Sequence, residues 1–171
     1  MKWLWWAPLF AVTLHITEEF FWPGGFADWD RAYRPQIRQS ITPRLHVIVN
    51  LLLIAFCMNV GLTGLGKAGA VIGGEHLRSG IPSNYAGASW IALAALLFSN
   101  AIFHFVGTIQ TGRYSPGLVT GVLLYVPLAI FGCWYFVNGS ETSFGTALVA
   151  ATLGGSYHLW ARMLHALRAR G

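Results

Sequence analysis

Charged side chains are scarce in this chain. Of its 171 residues, 11 are Lys or Arg and 6 are Asp or Glu, while 55% are hydrophobic. A soluble domain draws on about 25% charged residues to cover its surface; this chain has 10%. With a mean hydropathy of +0.54, a polytopic membrane protein is the class that remains. Cysteine is almost missing too. Cys57 and Cys133 both fall in apolar stretches at a spacing that matches no zinc motif, so they read as inert, buried thiols. No internal repeat, heptad run or low-complexity tail is visible. That argues against a carrier built from inverted repeats. The net charge of +5 would suggest nucleic acid for a soluble protein. Here the basic residues cluster at the ends of apolar segments, which fits membrane-surface anchoring and no nucleic-acid partner.

What is present are apolar windows. Five candidate spans, 3–22, 45–66, 88–111, 117–137 and 143–165, each approach the ~20 residues that a helix needs to cross a bilayer core. The expected fold is therefore all-α: one transmembrane bundle of five helices over residues 1–171. Tryptophans flank the first span, as in an interfacial belt. Met1-Lys2 followed by apolar residues resembles a signal peptide, but Glu18 and Glu19 occupy the place of its cleavage site, so the segment is expected to be retained. The first connection carries four arginines, and its middle suits a short helix at the membrane surface. Residues 64–84 are glycine-rich and unassigned. Tyr114-Ser115-Pro116-Gly117 is a turn with Pro116 placed to start the fourth helix, and Asn138-Gly139-Ser140 is another turn.

Five crossings sort the basic residues. Lys2, Lys67 and Arg78 fall on one side; Arg31, Arg34, Arg38, Arg44, Arg113, Arg162, Arg168 and Arg170 fall on the other. The excess of positive charge marks the second side as cytoplasmic, with the N-terminus outside and the C-terminus inside. A bacterial cytoplasmic membrane is the expected location.

The informative polar residues lie inside these spans. His15-Ile16-Thr17-Glu18-Glu19 places two carboxylates in a stretch where one costs roughly 2.5–3.5 kcal/mol at the helix centre. Such groups need partners. Counted from the basic side, His15, His104 and His158 each lie about seven residues into a different span, a shared depth of roughly 10 Å. Asn50 and Asn100 lie nearby, with His46 at the span's edge. Helical spacing puts Glu18 and Glu19 beside His15, and pairs Asn100 with His104 and His46 with Asn50. Imidazoles and carboxylates brought together by helices are how bundles hold metals, zinc or iron for this donor set. The expected ligands are His15, Glu18, Glu19, His104 and His158, with Asn50 and Asn100 as ligands or supporting partners. Taken singly, a buried His or Asn is more often a helix–helix contact. His76 and His165 read as surface residues. Arg162, one turn beyond His158, is a candidate for binding an anionic substrate headgroup or a simple anchor.

His15-Ile-Thr-Glu18-Glu19, an Asn in the second span, Asn100-x-x-x-His104, Tyr114-Ser-Pro-Gly117 and the late His158 together resemble the HXXEE family of small, mostly bacterial membrane proteins. The resemblance implies a membrane fold and a metal site, without an established reaction. Several functions are open at this point. The first is a zinc hydrolase acting on a lipid or other apolar substrate at the cytoplasmic headgroup level, with Glu18 or Glu19 as acid/base. The alternatives are an iron-dependent oxidoreductase on a lipid or isoprenoid, a metal-free acid-catalysed isoprenoid cyclase, and a proton-coupled carrier. Six histidines are fewer than the eight or more of common membrane desaturases. The membrane bilayer and a lipid-like substrate are the expected partners, and the sequence does not fix an oligomeric state.

Overall fold

Thr42 and Pro43 show how local chemistry sets the helix starts. The Thr42 hydroxyl accepts from the Leu45 N–H at 3.2 Å, and Pro43, with no N–H to satisfy, takes the first helical position. A computed structural model of the chain describes residues 1–21, 24–64, 85–139 and 142–168. Among these residues all regular structure is helical: a 3-10 turn Lys2–Trp5, α1 (Ala7–Phe21), α2 (Gly25–Tyr33), a 3-10 turn Pro35–Ser40, α3 (Pro43–Gly64), α4 (Tyr85–Thr111), α5 (Leu118–Asn138), α6 (Phe144–Gly155) and α7 (Tyr157–Arg168).

Three of these, α3, α4 and α5, are long and apolar enough to cross a membrane. The outer two expected spans are built from shorter pieces. Residues 3–22 become the 3-10 turn and the 15-residue α1. Residues 143–165 become α6 and α7, each of 12 residues, joined at Ser156 after Gly154-Gly155. The sixth helix starts on Ser143, whose hydroxyl accepts from the Thr146 N–H. The fourth expected helix begins at Leu118 rather than at Pro116. Gly117 precedes it at φ +100°, a left-handed conformation that glycine adopts without strain. Lys67, His76 and Arg78 lie outside the described residues.

Both the interior and the surface of the bundle are rich in apolar side chains, and a small polar group is buried among them. Large apolar side chains such as Phe10, Ile109, Leu123 and Ile130 face outward. His15, Glu19, Asn50 and His104 are buried. That is the arrangement a lipid surround favours, since polar groups there find partners only inside the bundle. Glycines let the helices approach. A Cβ at Gly132 would fall 1.7 Å from the Trp90 ring, and one at Gly154 would fall 1.8 Å from the Ala92 carbonyl oxygen. Trp90, fully buried, also donates from Nε1 to the Leu4 carbonyl at 3.0 Å and so ties α4 to the start of the chain. Cys57 and Cys133 are free thiols.

Candidate metal centre

Glu19 lies four residues after His15 on α1, so both project from one helical face. Three imidazoles close on its carboxylate. Glu19 Oε1 is 3.4 Å from His15 Nε2 and 3.5 Å from His104 Nε2 of α4; Glu19 Oε2 is 3.2 Å from His46 Nε2 of α3. Asn50, one turn after His46, donates its amide N–H to Glu19 Oε2 at 3.4 Å and contacts His46 Nε2 at 3.2 Å. Asn100, one turn before His104, places its amide nitrogen 3.0 Å from His15 Nε2 and 3.4 Å from His104 Nε2. Among the described residues, His15, Glu19 and His104 form a group whose donor atoms all lie within 4.8 Å of one another, and all three are buried. Two imidazole nitrogens and one carboxylate oxygen at that spacing are a donor set that zinc or iron accepts.

The neighbouring carboxylate does something else. Glu18 Oε1 accepts from the Gly117 N–H at 2.9 Å, the Val119 N–H at 3.2 Å and the Tyr114 hydroxyl. Glu18 Oε2 accepts from the Thr120 N–H at 2.9 Å and the Thr120 hydroxyl at 2.6 Å. The first N–H groups of a helix have no partner within it, and α5 lacks a capping side chain of its own. Glu18 supplies that cap from α1, a negative charge at the positive end of the helix. The structure therefore does not bring Glu18 into the metal group, because both oxygens are occupied.

Thr120 connects the two carboxylate sites. Its hydroxyl gives its proton to Glu18, so at its 2.9 Å contact with His15 Nδ1 it accepts. The His15 proton then sits on Nδ1, which leaves Nε2 bare towards Glu19 and Asn100. His104 is steadied in the same manner, with Nδ1 2.8 Å from Ser115 Oγ. The turn itself is pressed onto the rings. A Cβ at Gly117 would lie 2.6 Å from His15 Cε1 and 2.8 Å from His104 Cε1. Above the group, α2 folds back: the Phe26 ring centroid lies 4.9 Å from that of His46 and 5.2 Å from that of His104. The short helix expected in the first connection is thus present and covers the histidines.

A cavity of about 340 Å³ adjoins the group, with His15, Glu19, His46, Asn50 and Asn100 in its wall. Leu45, Val49, Leu53, Phe56 and Leu96 make much of the remainder apolar. Leu52, 65% exposed, also lines it, so the cavity reaches the outer face of the bundle. His158 lines this cavity but stands apart from the ligand group, stacked on Phe103 at 4.6 Å. Arg162 is exposed and does not line the cavity; Arg34 does. His165, expected at the surface, is half-buried, bonded to Ser40 Oγ at 2.7 Å, and part of the cavity wall. Burial of the α7 face against the Pro35–Ser40 turn draws it in.

Several contributors were not singled out from the sequence. Thr120 and Ser115 carried no signal beyond their nearness to the Tyr114–Gly117 turn. Asp30 and Arg34 had one, the i, i+4 acid–base spacing; they form a bidentate pair with Asp30 buried.

The chain is similar to the uncharacterized protein YrkK of Bacillus subtilis (strain 168), 25% identical over 123 residues, or 70% of this chain. It spans 65% of the length of that relative. No solved structure matches it. Residues 6–132, which carry His15, Glu18, Glu19, Asn50, His104 and the capping turn, match the family described as a protein of unknown function with HXXEE motif, and the chain belongs to that family.

Proposed function

We propose that this protein is a five-span enzyme of a bacterial cytoplasmic membrane, N-terminus outside, that hydrolyses an apolar, lipid-like substrate with a metal held by His15, Glu19 and His104. One observation carries the reading: a buried group of imidazole nitrogens around a single carboxylate, opening into a largely apolar cavity. Zinc is the first expectation and iron the second. A divalent ion bound there would supply Lewis acidity and lower the pKa of a coordinated water. The chain's own residues do the rest. Thr120 and Ser115 orient His15 and His104, and Glu18 holds Thr120 in place. Phe26 and the rest of α2 cover the histidines and limit water. Hydrolysis moves one proton from water to the leaving group, and His46, beside Glu19 and in the cavity wall, is placed to carry it. Glu18 takes no part in that transfer.

A second reading has an observation of its own. Two histidines and one carboxylate are also the facial set of mononuclear non-haem iron oxygenases. A two-iron centre is disfavoured because it would draw on Glu18, whose oxygens are engaged. Metal analysis of gently purified protein, wild type beside His104→Ala, is the first test. Stoichiometric zinc in the wild type and its loss in the variant are expected. Metal-free wild type that gains nothing on reconstitution would discard both readings in favour of acid catalysis. Incubation with a bacterial lipid extract then separates hydrolysis from oxidation, because only oxidation needs oxygen and reductant.

A further inference from the structure

A second polar cluster lines the same cavity, built from α2, the Pro35–Ser40 turn and α7. His158 stacks on Phe103, and its Nε2 is buried with no hydrogen-bond partner. A buried polar nitrogen left unpaired is costly, and such an atom in a cavity wall marks a place for a ligand group. Arg34 stands by the same ring, its Cζ 5.0 Å from the Phe103 centroid. Its Nε and Nη2 donate to Asp30, which leaves three of its five N–H groups for other acceptors.

The charges in the wall select what fits. Among the described lining residues Arg34 is the one Lys or Arg, against Asp30 and Glu19. The positive charge of Arg34 is balanced by Asp30 through a bidentate contact. Seated at His158, apart from the His15, Glu19 and His104 group and any ion held there, an anionic headgroup would therefore enter low-dielectric surroundings beside an arginine already neutralised, which is unfavourable. A hydroxyl meets no such penalty. It can donate to, or accept from, His158 Nε2 in either tautomer, and its oxygen can also accept from Arg34. The apolar remainder of the wall suits a hydrocarbon body, and the cavity volume of about 340 Å³ is within the range of small-molecule sites.

We propose that the cavity takes an uncharged, long-chain or isoprenoid-like ester or amide that also carries a free hydroxyl, rather than an anionic lipid, with that hydroxyl bound by His158 and Arg34. This deepens the proposed function by naming the substrate class, and rests on that reading only for the identity of the cavity as the substrate site. Binding is tested without turnover. Protein in lipid nanodiscs is labelled with a diazirine-bearing long-chain alcohol, against competing 1-dodecanol, dodecane, dodecanoate or dodecyl phosphate. The wild type should favour 1-dodecanol over dodecane by about five-fold, the gain of one added hydrogen bond, and over both anions by at least as much. His158→Phe, which keeps a ring to stack on Phe103, should bind alcohol and alkane alike. His158→Gln should retain part of the preference, which separates lost hydrogen bonding from lost folding. Equal or better competition by an anion, an unchanged preference in His158→Phe, or no competition by 1-dodecanol overturns the proposal. Wild type stripped with a chelator should keep the preference; its loss there would assign the alcohol to the ion and overturn the subsite. A preference intact in protein that never binds metal would remove the metal reading alone.

Discussion

Glu18 and Glu19 are adjacent in sequence, yet the pockets around them are built on opposite principles. Glu18 meets only donors: three backbone N–H groups and two hydroxyls, all from residues 114–120. Its charge is balanced by the start of α5, and nothing further is needed. Glu19 meets imidazole nitrogens and one amide, and the same His15 and His104 nitrogens are also approached by Asn100. With its proton on Nδ1, His15 turns a lone pair rather than a donor towards Glu19. The comparison teaches that a buried carboxylate is read by the donor capacity of its partners. One whose oxygens are all taken by N–H and O–H groups is structural, whereas one that shares its space with several imidazole nitrogens has a donor set that suits a cation.

The greatest effect should follow loss of the second pocket. Glu19→Gln and His104→Ala should each abolish stoichiometric metal by elemental analysis and, with it, turnover of any lipid substrate found; metal retained in both would place the ion elsewhere. Glu18→Gln should behave differently. It removes the charge from the cap of α5, with a loss of about 2 kcal/mol of stability visible as a lower melting temperature. It should also weaken metal binding through Thr120 and His15 by about 10-fold or more, while stoichiometric loading returns at high metal concentration. If Glu18→Gln instead lost metal outright with unchanged melting, the division of roles between the two carboxylates would be reversed.

Thr120→Val offers a finer cut. It preserves shape and the Thr120 N–H bond but takes away the hydroxyl that fixes the His15 tautomer. Nitrogen-15 NMR of His15 should show a shift from the Nδ1–H form towards a mixture, and metal affinity should fall less than in Glu18→Gln. The least effect belongs to Tyr114. Burial, with the Glu18 carboxylate beside it, pushes its phenol up to about 12. The raised value means that the bond to Glu18 is fully present below the ordinary tyrosine range near pH 10 and is lost only as pH climbs through about 12. Ultraviolet difference titration of wild type against Tyr114→Phe should show that late transition. A phenol that titrates at the ordinary value would mean that Glu18 and Tyr114 are not in contact.

The meeting of His15, Glu19, Asn100 and His104 was legible because depth and helical face are both simple functions of sequence position. Asn50 followed for the same reason. The split between Glu18 and Glu19 was not, since the donors that claim Glu18 begin at Tyr114, 96 residues further along. Equal depth also misled at His158. Depth places a residue along the bundle, but the stacking on Phe103 depends on the rotation of α7 after the break at Ser156. His46 looked peripheral because it lies in the first turn of α3, and only the fold of α2 over it makes it interior. The three helices long and apolar enough to cross a membrane were readable as apolar runs; the pieces at either end were not, because short helices joined at Trp6 or at Ser156 keep the same composition as one continuous span.

Gly117 carries a consequence for biosynthesis. The turn that it forms touches the rings of both His15 and His104, so it can seat itself only when α1 and α4 already stand side by side. Chains emerge N-terminus first, and α1 is made roughly a hundred residues before the turn. Through that interval Glu18 has none of its eventual donors and His15 lacks its hydroxyl partner. Until residues 114–120 arrive, other donors must serve the Glu18 carboxylate. Of the parts of the histidine pocket, residues 114–120 arrive last, and with them come the cap of Glu18 and the hydroxyls that fix the His15 and His104 rings.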